Sequence, residues 1–451
     1  MSILHFFLTG PDKPRITDEA AIKKEYKKHR VEDVASIIFG YGMYYVVKLP
    51  LSVAKKPLLA EGMSATQLGM IGAALTIAYA FGKCFNGFIG DRCNIKKIVP
   101  LGLLGAAVMN IIFGFSPINF GLFFALWLLN GFFQSMGSAP WTVSLSQWFG
   151  KRKMATWYGV CGIAHYLGEG LTYVGTAAIV ARYGWRSGFF APGFFSILIS
   201  ILMYLFMSDR PETYGLPPAN EFDGDIKTAK VEKTKTTGKA QLEALKNPFV
   251  WCVALSAIFL GIARYSIDNW GVIFLQEQCK YSVGVAGGIL AISSVTGGLG
   301  SVCSGIVSDK VFKSHHAITS IVFGIVMLVG IIGFCKFSYN RSLCMVFTAI
   351  YGFGLGIELS FLGGMLAVDL VSQKATGAAM GMVGLLSYLG ATGQELINGR
   401  LMDISKTIVN GAVAYNFNVI NKFWIVSVCL MTVFVIPVLF AKKKSEKMEN
   451  A

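Results

Sequence analysis

Long runs without a single charge constrain this chain more than any other feature. Phe249 to Ala263 (FVWCVALSAIFLGIA) carries none, nor does Val34 to Val47, and similar runs recur almost to the C-terminus. About 20 mainly apolar residues span the hydrocarbon core of a bilayer as a helix. Only helices or closed barrels satisfy their backbone groups there. The apolar/polar alternation of barrel strands is absent, so the runs predict helices. Only 14% of the 451 residues are charged and mean hydropathy is +0.57, where soluble domains carry about 25% charge. The expected fold class is therefore an all-α membrane protein.

The runs predict twelve spans, at 33–54, 66–89, 97–115, 119–147, 155–180, 187–207, 249–277, 283–307, 316–335, 342–367, 376–399 and 422–441. A polar segment rich in Lys, Glu and Thr divides them. The expected domains are a segment 1–32, a six-helix bundle 33–207, a linker 208–248, a second bundle 249–441 and a tail 442–451. Lys and Arg cluster at 23–30, 92–97, 151–153, the linker, 310–313, 374 and 442–444. With twelve spans all of these fall on one side, which the positive-inside pattern makes cytoplasmic, together with both termini. The net charge of +15 thus reads as topology and not as nucleic-acid binding. Targeting is expected from the first span, since the start of the chain lacks a basic n-region. The nine cysteines are scattered without a CxxC pair, so neither disulfides nor a metal site is expected.

A local pattern recurs at an offset of six spans. Gly87-Phe-Ile-Gly-Asp91-Arg92 follows the second span, and Gly305-Ile-Val-Ser-Asp309-Lys310 follows the eighth. Glycine permits close helix approach, the Asp can meet a helix N-terminus, and the bases anchor the loop at the membrane surface. The pair resembles the loop motif of the major facilitator superfamily. That resemblance implies two six-helix bundles rocking about a central cavity, with substrate near the midplane.

Charges inside the spans point to chemistry, because each is costly in a bilayer. Lys48 in the first span and Arg264 in the seventh lie about 15 residues, or roughly 22 Å, from the cytoplasmic end. In a pseudo-symmetric bundle the two cations face each other, and a doubly charged anion between them relieves their repulsion. Two other readings stand beside this one: Lys48 snorkels to the outer interface, and Arg264 pairs with Asp268 at i,i+4. Lys83 is in the second span. His165, in the fifth, has Glu169 one turn on and a side-chain pKa near neutrality. Glu358 and Glu395 are further acids within spans, suited to pairing with a base or carrying a coupling proton. Tyr41, Tyr44, Tyr45, Tyr79, Trp141, Tyr166, Tyr265 and Tyr388 offer hydroxyls and flat apolar faces of the kind a sugar needs. The bland alternative is helix packing. Asn130 and Gln134, one turn apart, can hydrogen-bond a substrate or a neighbouring helix.

Longer stretches carry a closer likeness: YGMYYVVK (41–48), MSATQLGMIGAALTIAYAFGKCFNGFIGDR (63–92), LNGFFQSMGSAPW (129–141), AHYLGEG (164–170), YGWRSG (183–188), SDRPETYGLP (208–217), ARYSIDNWG (263–271) and GLLSYLGA (384–391). Together they resemble the organophosphate:phosphate antiporter family, nearer its hexose-phosphate transporter and sensor branch. The resemblance implies exchange of an organic phosphate ester for inorganic phosphate. By motif match it assigns the phosphoryl group to Lys48, Arg264, Lys83 and His165, and it places Tyr41, Tyr45, Tyr79 and Tyr388 beside the substrate. Gln134, Trp141 and Asp268 are further candidate lining residues. The chain departs from the family where an Arg is usual in span 1 and Lys48 stands here, and where the span-10 Gly-Pro pair reads Gly356-Ile357 before Glu358.

The function expected is import of a hexose phosphate, glucose 6-phosphate first, in exchange for phosphate across a bacterial inner membrane. The alternatives are a membrane sensor signalling to a partner kinase, a glycerol 3-phosphate antiporter, and a proton-driven exporter, against which the cationic span residues argue. No P-loop, zinc spacing or hydrolase elbow is present. No enzyme activity or cofactor is therefore expected, and the chain is expected to act as a monomer driven by a gradient.

Overall fold

The computed structural model describes residues 7–90, 93–224, 237–371, 375–409 and 412–441. In chain order the helices are α1 (Glu19–Val46), α2 (Pro50–Ala60), α3 (Ala65–Gly90), α4 (Ile95–Phe115), α5 (Phe120–Trp148), α6 (Lys151–Leu171), α7 (Ala177–Tyr183), α8 (Ser187–Phe206) and α9 (Ala219–Phe222). They continue as α10 (Thr237–Lys246), α11 (Pro248–Gln278), α12 (Val283–Val311), α13 (His316–Lys336), α14 (Arg341–Ser360), α15 (Leu366–Asp369), α16 (Thr376–Ile404) and α17 (Asn418–Val435). π-helical turns join α6 to α7 (Thr172–Thr176) and α14 to α15 (Phe361–Met365). One hairpin, β1 (Lys406–Val409) and β2 (Ala412–Tyr415), pairs antiparallel before α17. It lies between the spans expected at 376–399 and 422–441.

Among the described residues ten helical segments are long and apolar enough to cross a membrane. The stretches expected as the fifth and eleventh spans are helical from 151 to 183 and from Thr376 to Ile404. Their sequences are less apolar than those of the ten, with His165 and Glu169 in the one and many Gly, Ser and Thr residues in the other. Where the helices start, side-chain oxygens cap them: Asn119 accepts from Leu122 N, Asn247 from Phe249 N, Ser282 from Val285 N and Asn340 from Leu343 N. Such caps replace hydrogen bonds that the first helical turn cannot make.

Packing divides the chain into one unit of residues 1–50 and 77–232 and a second of 51–76 and 233–451. The helix α2 and the first half of α3 thus pack within the second unit. Corresponding helix pairs pack in the two units. In the first, α1 packs on α6 and α4 packs on both α5 and α8. In the second, α11 packs on α16 and α13 packs on both α14 and α17. Glycine makes the α1–α6 approach possible, since a Cβ on Gly168 would overlap the Gly42 carbonyl.

The first part of the expected linker is folded onto the first unit. Lys13 and Ile16 donate backbone bonds to Glu212 and Gly215 at 3.0 and 2.9 Å. Gly215 turns there with φ of +76°, where a Cβ would overlap the Pro14 carbonyl. The Tyr26 hydroxyl donates to the Pro217 carbonyl, and its ring stacks on Phe222 at 3.8 Å. Asp223 anchors the end of this strap, receiving Arg30 at 2.7 Å, Lys153 at 2.9 Å and the Gly150 N–H at 2.9 Å. Burial opposes ionisation of Asp223, but hydrogen bonds from Arg30, Gly150 and Lys153, with the Arg30 charge, outweigh it and hold the carboxyl below its usual range.

Candidate substrate-recognition residues

The first span is broken where Lys48 stands. Helix α1 ends at Val46 and α2 begins at Pro50, because proline has no N–H to continue the ladder. A broken helix leaves carbonyls that a bilayer interior cannot hydrate. Asn110 donates to the Val47 carbonyl at 2.7 Å and Asn130 to the same oxygen at 3.1 Å. Gln134 donates to the Tyr44 carbonyl at 2.8 Å. The amides of Asn130 and Gln134, open to substrate or helix by sequence, are engaged with the helix break.

Lys48 is 6% exposed, and its Nζ lies 5.0 Å from the ring centroids of both Tyr45 and Tyr79. It is held inside the unit by aromatic faces and does not reach outward by snorkelling. Tyr45 also meets the His165 ring at 5.6 Å and the Tyr41 ring at 5.6 Å. Tyr41 meets Trp141 at 5.6 Å, and Trp141 stacks on Tyr158 at 5.0 Å. Thus Lys48, Tyr41, Tyr45, Tyr79, Trp141 and His165 form one aromatic-walled cluster. Tyr158 joins it unannounced, because nothing in its local sequence separates it from a packing tyrosine. Lys83, one turn beyond Tyr79 on α3, is exposed, and Glu169 is buried on α6 one turn beyond His165.

The second unit places Arg264 in the middle of α11, 9% exposed. Its Nε donates to Asp268 Oδ2 at 3.3 Å, so the i,i+4 pair read from the sequence is present. The guanidinium also lies 5.3 Å from the Tyr265 ring, and Tyr265 and Tyr388 bring their hydroxyls within 3.5 Å. The Ala263 carbonyl accepts from Tyr351 at 3.0 Å. Below it runs a polar ladder: Asn398 donates to Ser266 Oγ at 3.0 Å and to Gln394 Oε1 at 2.8 Å, and Trp424 donates to Asn398 Oδ1 at 2.9 Å.

Glu395 has its own partners. It meets Lys55 at 3.3 Å, with both side chains 1% exposed. Trp270 Nε1 donates to it at 2.8 Å, Asn269 donates to its other oxygen, and the Lys55 ammonium sits 3.4 Å from the Trp270 ring centroid. Lys55 pairs here with a residue 340 positions away, a partnership that no local sequence signal marks. Of the loop-motif residues, Gly87 lies in α3, Asp91 and Arg92 lie outside the described residues, and Gly305 is in α12. Asp309 is exposed and accepts from Ser314 Oγ at 2.7 Å, beside exposed Lys310.

Comparison with known proteins gives this architecture relatives. The model of the Major Facilitator Superfamily matches residues 35–393. The chain is similar to the "Membrane sensor protein UhpC" of Salmonella typhimurium, 29% identical over 86% of this chain and 89% of that one. It is similar to a "Probable hexose phosphate transport protein" of Chlamydia pneumoniae, 29% identical over 88% and 91% of the two chains. It is also similar to the "Glycerol-3-phosphate transporter" of Bacillus subtilis, 30% identical over 86% and 89%. Among solved structures, a bacterial homologue of the human lysosomal transporter Spinster shares the fold, with a TM-score of 0.70, 15% identity and coverage of 92% and 96%.

Proposed function

This chain belongs to the major facilitator superfamily, in the branch of the organophosphate:phosphate antiporters, and we propose that it imports a hexose phosphate, glucose 6-phosphate first, in exchange for inorganic phosphate by alternating access. One observation carries the reading: each unit buries a cation within a membrane span, in contact with tyrosine rings. At either cation an oxyanion meets a charge that is already largely desolvated, and the attraction is stronger than at a water-exposed surface. Lys48 supplies a point charge and Arg264 a planar fork that matches two phosphoryl oxygens. Asp268 pairs with Arg264 in the structure described here, so phosphate competes with a carboxylate for the guanidinium. Lys83 and His165 complete the basic set, and the tyrosines with Trp141 supply faces and hydroxyls for the sugar. The face bearing the basic loops is assigned to the cytoplasm of a bacterial inner membrane.

The test is counterflow. Proteoliposomes loaded with labelled phosphate should release it on external addition of glucose 6-phosphate, and less readily with glycerol 3-phosphate. Release by glycerol 3-phosphate alone overturns the hexose assignment, and no release by any phosphate ester overturns the antiporter reading. Arg264→Lys is expected to slow exchange by about ten- to a hundredfold, the equivalent of one charge-assisted hydrogen bond of about 1.5–3 kcal/mol. Unchanged exchange would make Arg264 structural.

The sensor reading has its own observation. The strap formed by residues 9–16 and 208–224 is ordered against the first unit, and on the face assigned to the cytoplasm it offers a surface to a kinase. Binding of sugar phosphate without any counterflow would favour that reading.

A further inference from the structure

Glu358 is the buried acid that the phosphate chemistry leaves unused. It lies near the end of α14, is 0% exposed, and receives one hydrogen bond, from Ser320 Oγ on α13 at 2.7 Å. Its second carboxyl oxygen is buried without a hydrogen-bond partner. Among the described residues no ion pair reaches it. Helix α13 offers Ser320 and, one turn nearer its N-terminus, His316. Helix α12 meets α14 beside Glu358 through Gly297 and Ser301, both against Gly356. Met380 of α16 meets the π-helical turn at Gly364. Helix α15 brings Asp369, whose Oδ2 lies 2.6 Å from His316 Nδ1. None of these is a lysine or arginine. An ionised carboxylate with one hydroxyl partner in a membrane-spanning bundle is far more expensive than the neutral acid, which leaves at most one unbonded polar oxygen.

A route for a proton lies next to it. His316 and Ser320 are at i,i+4 and therefore share one face of α13. His316 and Asp369 line a cavity of about 330 Å³ together with His315, Leu370 and Val438. This cavity stands where α13 begins and α15 ends, on the face assigned above to the cytoplasm. Between Glu358 and Asp369 the chain makes its π-helical turn, with Gly364 at φ of +156°, and the Phe361 ring lies 5.4 Å from His316. π-Turns within helices often mark places where a helix must adapt.

We propose that Glu358 is a proton-binding site loaded from this cavity by way of His316 and Ser320, and that it couples substrate exchange to a proton. The step is simple and balanced: a proton from water in the cavity forms an O–H bond on the carboxylate, and its loss restores the charge. The neutral acid fits the dry contact between α13 and α14. The carboxylate needs water or a cation and so opens that contact at the π-helical turn. The site itself is independent of substrate identity, whereas the coupling rests on the antiporter reading above.

Two measurements on the full chain test the parts separately. Infrared difference spectroscopy, without substrate, compares the wild type with Glu358→Gln between about pH 5 and about pH 9, a range that covers buried carboxyls. A protonated-carboxyl band present near neutral pH in the wild type and absent from the variant is expected. Ser320→Ala, which removes the one hydrogen bond to the carboxylate, should move its loss to higher pH. A wild-type spectrum without that band overturns the proton site, whatever the transport result. The second measurement is phosphate–phosphate exchange in proteoliposomes across the same range. Glu358→Gln should retain exchange and lose the wild-type pH dependence. An identical pH profile in variant and wild type overturns the coupling. A band together with no exchange in the wild type supports the site and overturns the antiporter reading instead.

Discussion

Lys55 and Glu395 show what a buried charge demands of its neighbours. Each is 1% exposed, and each loses most of its hydration on folding. Their mutual attraction, the Trp270 and Asn269 hydrogen bonds and the Trp270 ring under the ammonium together offset that loss. Removing one partner from such a pair costs about 3–5 kcal/mol, because the other is left charged and dry, whereas replacing both with apolar groups is often neutral. Lys55→Met should therefore lower the thermal midpoint markedly in detergent, and Lys55→Met with Glu395→Leu should recover most of it. Equal destabilisation by the single and double changes would show that the pair is not coupled. Lys48 is a different case, held by aromatic faces in a helix break whose carbonyls are engaged by Asn110, Asn130 and Gln134.

Elements here are ended and joined by specific groups. Pro50 stops α1 from running into α2, so Lys48 stands off a regular helix face. The strap ending at Asp223 is fastened by three donors from α1, α5 and α6 or their ends. Asp223→Asn should loosen it, seen as faster hydrogen exchange in 208–224 with the spans unaffected; unchanged exchange would make the contact incidental. The pH dependence has a definite sign. The folded-state pKa of Asp223 is depressed, so its contribution is fully present above the ordinary Asp value of about 3.9. It is lost as pH falls through the lower folded-state value. Docking of the strap should hold at neutral pH and weaken only below about pH 4, and Asp223→Asn should remove that dependence.

At the scale of the whole molecule, the positive-inside pattern leads us to expect both termini and the basic loops in the cytoplasm. Tags on the two termini should both be reached by a membrane-impermeant label only after the membrane is opened from the cytoplasmic side. Labelling of either terminus in intact cells would invert the topology. The helical membrane fold was largely legible, because long uncharged runs are local signals that a bilayer turns into spans. The stretches expected as the fifth and eleventh spans are helical although they carry His165 and Glu169, or Gln394, Glu395 and Asn398; in the second of them Glu395 and Asn398 find partners on distant segments. Lys48, Arg264 and their tyrosines could be named from the chain because a charge within an apolar run is conspicuous. Asp268 could be named too, because it stands one turn from Arg264; partners distant in sequence could not. Residue 55 meets 395, residue 223 meets 30, and residue 320 meets 358, and no local pattern encodes which buried group a fold will bring to another. Sequence alone determined a helical membrane protein with costly charges inside its spans. Tertiary structure decided which charges are paired, which amides serve a helix break, and that Glu358 has, among the described residues, a serine and no ion-pair partner, because burial and partnership depend on packing between distant segments.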